Sequence, residues 1–333
     1  MKPTLTTPST TRFATRRRLL LSAAGAAAAS ALPGFSSAQT ADSSVLRLGY
    51  IGPGKKPAAA TGWALQKGYL LRELAPLGIK DVVTRNFPNG PDLNEAFFAG
   101  ALDAGIYGDT PAIVARARGL ETQLIGFDSV GLNVWLLTPR NGVRSVKELD
   151  GQSIGVARGS YMHRYVLGLL KEHGLQKSVK VIHMFPRDGE AALDKGVIAA
   201  FAAQIDTGPL LAARGYPVID QAEQHPKLRG TSVIVASDKL LAARPGLAGA
   251  WTRARRAALA DIGRDSEAYY AFHAEVSGFP VDVVKISHPL SHFPEVAYPP
   301  EGVALLGEVK SFLLGEKLIE RDFALDSWRV NDA

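Results

Sequence analysis

The sequence predicts an α/β protein built on mostly parallel sheets, and two observations carry that expectation. From Val45 onward, short apolar runs of strand length alternate with amphipathic segments of helical length, the pattern of strands joined by crossover helices. The chain is also long. Its 333 residues with 46% hydrophobic content and no long polar tract are enough for a large core, more naturally divided into two lobes than one.

Taken in order, Val45-Leu46-Arg47-Leu48 reads as the first strand, and a helix starts near Thr61 and runs to Lys67. In "PDLNEAFFAGALDAGIYGD", Leu93, Ala96, Phe97 and Ala101 fall on one helical face, and Ala104-Gly105-Ile106-Tyr107 follows as a strand. The next helix opens at Gly108-Asp109-Thr110-Pro111, with Thr110 as N-cap and Pro111 at the first helical position. Ser153 to Ala157 is a further strand, and Gly159-Ser160 opens the helix "YMHRYVLGLLKEHG", which Gly174 stops. "VKVIHMF", "AAFAAQI" and "TSVIVAS" are strand-like. The last stretch is mainly helical, interrupted by "HPLSHFPEVAYPPEG", and the mature chain carries no internal repeat.

Charge and cysteine content exclude several function classes. Residues 1–38 contain Lys2, Arg12, Arg16, Arg17 and Arg18 and no acid, so they hold all but about one unit of the formal +6. The remaining chain is near neutral, which removes the basis for nucleic-acid binding. With no cysteine in the chain, there is neither a disulfide framework nor a thiolate metal site. The N-terminal excess has a different explanation. Arg16-Arg17-Arg18 precedes a weakly apolar stretch, Leu19 to Leu32, and Ser36-Ser37-Ala38 forms a small-x-small cleavage site. These three parts resemble a twin-arginine (Tat) export signal cleaved near Ala38, and the apolar run is shorter than the ~20 residues needed to span a bilayer. A soluble, periplasmic mature protein is expected.

"GYIGPGKK" has the spacing of a phosphate-cradling P-loop, Gly49-x4-Gly54-Lys55. Lys56 stands where the magnesium-binding Ser or Thr belongs, and Pro53 removes one cradle N–H. The segment is instead read as the first loop of an anion-binding cleft. Ligands of open α/β sheets sit beyond the carboxyl ends of the strands. A helix N-terminus placed there offers free N–H groups and roughly +0.5 of an elementary charge. "GDTP" and "GSYMH" both set such a terminus directly after a strand.

The ordered series "LRLGY", "FPNGPDLNEAFFAGALDAGIYGDTPAIVARARG", "VKELDGQSIGVARGSYMHRYVLGLLKEHGL" and "HPKLRGTSVIVASDKLLAARPGL" resembles the solute-binding proteins of ABC importers for aliphatic sulfonates, taurine and nitrate. The resemblance covers essentially the whole mature chain. It implies a two-lobed periplasmic-binding-protein fold (type II, flytrap) with two hinge crossovers. Lobe 1 would hold residues 45–138 plus 236–333, and lobe 2 residues 139–235. It also implies a small-molecule anionic ligand, an ABC permease and its ATPase as partners, membrane contact only through the permease, a monomer, and no cofactor or bound metal. Carried over by position, the ligand contacts fall on Gly54, Lys55 and Lys56; on Asp109 and Thr110; on Ser160 and Tyr161 with His163 one turn in; and on Asp206. The family's "W(D/E)P" segment reads Ile205-Asp206-Thr207-Gly208-Pro209 here, without the tryptophan.

Two rival classes are kept. Asp109, His163 and Asp206 offer acid–base groups for an enzyme on the same fold, although the chain has no H-E-x-x-H helix and no cysteine nucleophile. A receptor presenting its ligand to a membrane sensor is the other. His288 and His292 have metal-like spacing, but Pro289 interrupts a helix between them, so a surface loop is expected. Arg253, Arg255 and Arg256 read as a solvated helix face, and Trp63 as the tryptophan nearest the cleft.

Overall fold

Among the described residues, ten strands fall into two five-stranded sheets, and the chain changes sheet twice. In the computed structural model, which describes residues 44–331, strands β1 (Val45–Ile51), β2 (Asp81–Phe87), β3 (Ala104–Gly108) and β4 (Thr122–Leu132) open the first sheet. The chain then enters the second sheet through β5 (Trp135–Leu137), β6 (Ser153–Val156), β7 (Lys180–His183), β8 (Ala200–Ala203) and β9 (Val218–Gln221). It returns to the first in β10 (Gly230–Ser237). The strand orders are β2-β1-β3-β10-β4 and β7-β6-β8-β5-β9. The proposed export signal and its cleavage point lie outside the described residues.

Both sheets are mixed, where the sequence suggested mostly parallel ones. β1 pairs in parallel with β2 and β3, and β6 with β7 and β8. β10 runs antiparallel to both its neighbours, and so does β5. These two are the first strands after each change of sheet. A strand that follows a crossover helix is parallel to its neighbour, but one entered from the other sheet has no such constraint.

Helices cover both faces of each sheet. In chain order they are α1 (Ala59–Gln66), α2 (Tyr69–Leu74), α3 (Gly90–Phe98), α4 (Asp109–Ala117), α5 (Tyr161–Glu172), α6 (Gly189–Asp194), α7 (Thr207–Ala213), α8 (Asp238–Ala243), α9 (Leu247–Arg264), α10 (Ser266–Ser277), α11 (Val281–Ser287), α12 (Pro300–Gly315) and α13 (Leu325–Trp328). Alternation along the strands assigns side chains to opposite faces. Leu46, Leu48, Tyr50 and Ile125 pack with Trp63, Trp251 and Tyr269 on one face, while Leu124 and Phe127 pack with Phe97, Ile113 and Trp328 on the other. Around the second sheet, Ile154 and Val156 meet Tyr165 and Leu169 of α5, and Phe201 meets Leu193 and Leu211.

Several local expectations shift. α4 starts at Asp109 with Gly108 as its N-cap, so Thr110 lies inside the first turn. α3 ends at Phe98, leaving Ala101 beyond the helix. α5 stops as expected, with Gly174 at φ +70° just past its end. Trp63 is core: its Nε1 donates to Asp261 at 2.9 Å and its ring meets Tyr269 and Phe272 edge-on. Arg255 is buried rather than solvated. Its Nη2 donates to the Asp128 carbonyl at 3.1 Å, and its Nε lies 3.7 Å from the Asp128 carboxylate.

The return into β10 is fastened by buried charge. The Arg164 guanidinium, 1% exposed, donates to the carbonyls of Lys227 at 3.0 Å and Arg229 at 2.6 Å. It also lies 3.9 Å from the Asp109 carboxylate. Asp109 in turn accepts from Thr231 N–H at 2.7 Å and from its hydroxyl at 3.1 Å. Arg164→Ala leaves Asp109 without its cation and two carbonyls without donors, and should lower unfolding free energy by about 3–5 kcal/mol. Urea denaturation measures this, and a loss below about 1 kcal/mol would show the cluster to be incidental.

Candidate functional site

A cavity of about 150 Å³ is walled by both sheets. From the first sheet come the loop after β1, the ends of β3 and β4, and Ser232 of β10; from the second come Tyr161 at the head of α5 and Gln204, Ile205 and Asp206 after β8. His273, Val276 and Ser277 of α10 and His288 after α11 complete it. The parallel strands β1, β3 and β8 thus deliver their carboxyl ends here, where an open α/β sheet exposes backbone to a ligand. The volume is comparable to a cavity that holds one benzene.

The loop after β1 is held tightly. Tyr50 donates its hydroxyl to the Gly54 carbonyl at 2.9 Å, and Asn86 donates to the Gly52 carbonyl at 2.8 Å. Gly54 is required by space, since a Cβ there would sit 2.0 Å from the Val276 carbonyl oxygen. Lys56 follows, exposed at the cavity rim, and the chain then turns into α1 through Ala59 at φ +52°. A non-glycine residue in that region stores of order 1–3 kcal/mol of strain. The strain sits in the cavity wall.

Charges lining the cavity are mostly spent on one another. Asp128 accepts from the amide and hydroxyl of Thr61, so it caps the first turn of α1, and Arg255 neutralises it from behind. His288 Nε2 lies 2.7 Å from Asp206 Oδ1. Burial pushes the Asp206 carboxyl upward, but His288, with His273, outweighs burial and holds it below the usual carboxylate value. Asp206 is therefore ionised and accepts the Nε2 hydrogen. Burial drives His273 down to about 3, with His288 adding to the shift against Asp206. Among the described lining residues, Lys56 is the one lysine or arginine.

The nine sequence-predicted residues separate. Gly54, Lys56, Tyr161 and Asp206 line this cavity. Lys55 is exposed and does not. Asp109 is turned into the core onto Thr231, and Ser160 caps α5 by accepting from His163 N–H at 3.2 Å. Thr110 and His163 border a second cavity of about 220 Å³ between α3, α4, α5 and α12. Asp109, His163 and Asp206 thus do not converge on one space. Tyr161 Oη accepts from Ile205 N–H at 3.4 Å, and its ring closes on Gly230, where a Cβ would meet it at 2.5 Å. Asp128, His273 and Ser232 were not singled out by sequence. The segment Gly151-Gln152-Ser153-Ile154-Gly155 spells G-x-S-x-G, yet Ser153 begins β6 instead of standing on a strand-to-helix turn, so it is no nucleophile elbow.

Comparison with known proteins follows the same outline. The NMT1/THI5-like family profile matches residues 64–268. An aliphatic sulfonates-binding protein of Escherichia coli (strain K12) is 28% identical over 171 residues, covering 50% of this chain and 51% of that protein. The chain spans about half the length of the curated relatives it matches. The alkanesulfonate-binding protein SsuA from Xanthomonas axonopodis pv. citri, bound to MOPS, superposes with a TM-score of 0.71 at 22% identity, covering 86% of this chain and 99% of that one. The desulfurization enzyme DSZB superposes at 0.68 with 18% identity, covering 86% and 96%. Binding proteins and an enzyme share the fold, so the fold alone does not choose between capture and turnover.

His273 and His292 both titrate below the ordinary imidazole value near the site, and His292 is the more exposed of the two. Burial, then the Arg229 cation and His288, lower His292 to about 4, and Arg229 Nη2 lies 3.3 Å from its Nε2. The unfolded chain takes up this proton near the ordinary 6.5, so the stabilisation is present above that pH and is lost as pH falls from 6.5 towards 4. The slope should be no more than roughly 1 kcal/mol per pH unit, because the ring is partly solvated. His292→Gln should reduce the slope in this window, leaving the share of His273, as read by urea denaturation at several pH values; an unchanged slope would remove His292 as a source.

Proposed function

This chain belongs to the NMT1/THI5-like family and has the fold of the periplasmic binding proteins, and from that premise we propose that it captures a small organic solute without transforming it. The observation that carries the reading is the cavity itself, walled by both sheets at the carboxyl ends of their strands. We take the sheets as two lobes hinged where the chain changes sheet, between Leu132 and Trp135 and between Gln221 and Gly230. Closing them brings Tyr161 and Asp206 against the loop that carries Gly54 and Lys56. Solute contacts are assigned to Gly54, Lys56 and Tyr161, while Asp206 stays paired with His288.

The proposed solute is small and anionic, with sulfonates first. Lys56 supplies positive potential at the rim, and the size of the cavity suits one ring or a short alkyl chain. The names borne by the Escherichia coli relative and the Xanthomonas structure support the same class. Delivery to an ABC permease and its ATPase, export through a Tat signal, a periplasmic location and a monomeric state belong to this proposal. No helix among the described residues is long and apolar enough to cross a membrane. Against catalysis stands the commitment of Asp128 to Thr61 and Arg255, which spends its charge on the fold.

The test is a thermal-shift panel of alkanesulfonates, aromatic sulfonates, taurine, nitrate, carboxylates and nucleotides. A solute at 100 times its Kd should add about 2.7 kcal/mol, or several degrees in Tm. Lys56→Ala should then weaken binding about tenfold, and Lys55→Ala should leave it unchanged. Turnover of any panel member would replace the proposal with the enzyme reading. Fractionation of cells should find the processed protein in the periplasm, and retention in the cytoplasm would remove the export step.

A further inference from the structure

The cavity holds a side-chain set that solute capture does not use. Asp206, His273 and His288 each present one donor atom, and these atoms all lie within 4.8 Å of one another. All three residues are buried, at 5%, 2% and 8% exposure. They come from different parts of the chain: Asp206 from the segment between β8 and α7, His273 from α10, His288 from just after α11. The two imidazole rings stand 4.3 Å apart.

We propose that Asp206, His273 and His288 bind a divalent transition metal of the zinc type. One carboxylate and two imidazoles form a donor set suited to zinc, and the cavity beside them leaves room for water or an oxyanion as a further ligand. A tetrahedral ion with bonds of ~2.0–2.2 Å needs its donors within ~3.5 Å of one another, so the present spacing has to contract only modestly. The ion would take the place of the hydrogen between His288 Nε2 and Asp206 Oδ1, and that proton would be released on binding. His288 Nδ1 is buried with no hydrogen-bond partner, so the ring is not already satisfied on its other side. Outer partners are also in place. Tyr269 Oη lies 3.0 Å from His273 Nδ1, and by accepting that hydrogen it leaves Nε2 as the metal donor. The absence of cysteine fits a nitrogen–oxygen site and excludes a thiolate one. Because Asp206 belongs to the second-sheet side and both histidines to the first-sheet side, a bound ion ties the two together. The site shares the cavity proposed for solute, yet it can be read with metal alone, so either proposal can fail without the other.

The experiment titrates the purified full chain, stripped by chelator, with Zn(II) and separately with Co(II), without solute. A single equivalent should bind, Co(II) should develop intense d–d absorption, and Tm should rise. Asp206→Asn, His273→Gln and His288→Gln should each weaken binding by more than about 100-fold, while His292→Gln should not. X-ray absorption of the wild-type zinc complex should give two imidazoles and oxygen ligands, which keeps the claim testable if a variant fails to fold. No saturable binding below about 1 mM, or undiminished binding in folded Asp206 and His288 variants, would overturn it.

Discussion

The return of the chain from the second sheet to the first is the point on which the architecture depends. Residues 227–231 cross beside the outward strand end, and Arg229 donates twice to the Gly131 carbonyl, through Nε at 3.1 Å and Nη2 at 2.7 Å. Gly131 adopts φ +82°, and a Cβ there would meet Arg229 Nη2 at 2.5 Å. Only glycine satisfies both demands. Arg164 and Asp109 hold the other side of the same crossing. Buried ions of this kind are held only when each finds its partners, so the cluster fixes where β10 enters the sheet. That entry sets Ser232 and the Tyr161 contact at Gly230, and hence one wall of the cavity.

A second buried pair does the same for the opposite wall. Asp128 on β4 takes the Thr61 amide at the head of α1 and is balanced by Arg255 on α9. The loop from Gly52 to Ala59 is thereby hung between a capped helix and the backbone of α10. Its strained residue, Ala59, persists because both ends are overdetermined. Neither pair offers its charge to a solute. Both position backbone.

How far the sequence reveals this depends on the range of the interaction. Strands β1, β3, β6, β8 and β10 and the stop of α5 were readable because apolar runs and a C-cap glycine are local signals. β4 was not, since "TQLIGFDSVGL" carries Gly, Asp and Ser inside a strand that is buried on both faces. Sheet direction was misjudged at β5 and β10 because a change of sheet leaves no local mark. Arg255 looked solvated because its partner lies 127 residues away. In the site, "GDTP" and "GSYM" both announce a helix start, but a cap turned into the core and a cap turned towards ligand read alike. So Asp109 and Ser160 serve the fold, and Tyr161 faces the cavity. His288 drew attention only beside His292, its neighbour in sequence, whereas its partners in space are Asp206 and His273.

The same geometry bears on the energetics of the proposed closure. Asp206–His288 at 2.7 Å links a second-sheet segment to a first-sheet helix end, and the Tyr161 ring packs on Gly230 at the return crossing. These contacts involve no solute, so in the proposed closure they would favour the closed arrangement whether or not one is bound. A ligand then has to supply only the difference in affinity between open and closed states. Too strong a built-in latch would close an empty cavity and slow entry; too weak a one would make every contact the solute's responsibility. A carboxylate–imidazole pair suits an intermediate strength, because its attraction is offset by the desolvation of both groups. The segment that carries Asp206 also lines the cavity, so the proposed latch and the proposed solute wall are built from the same few residues.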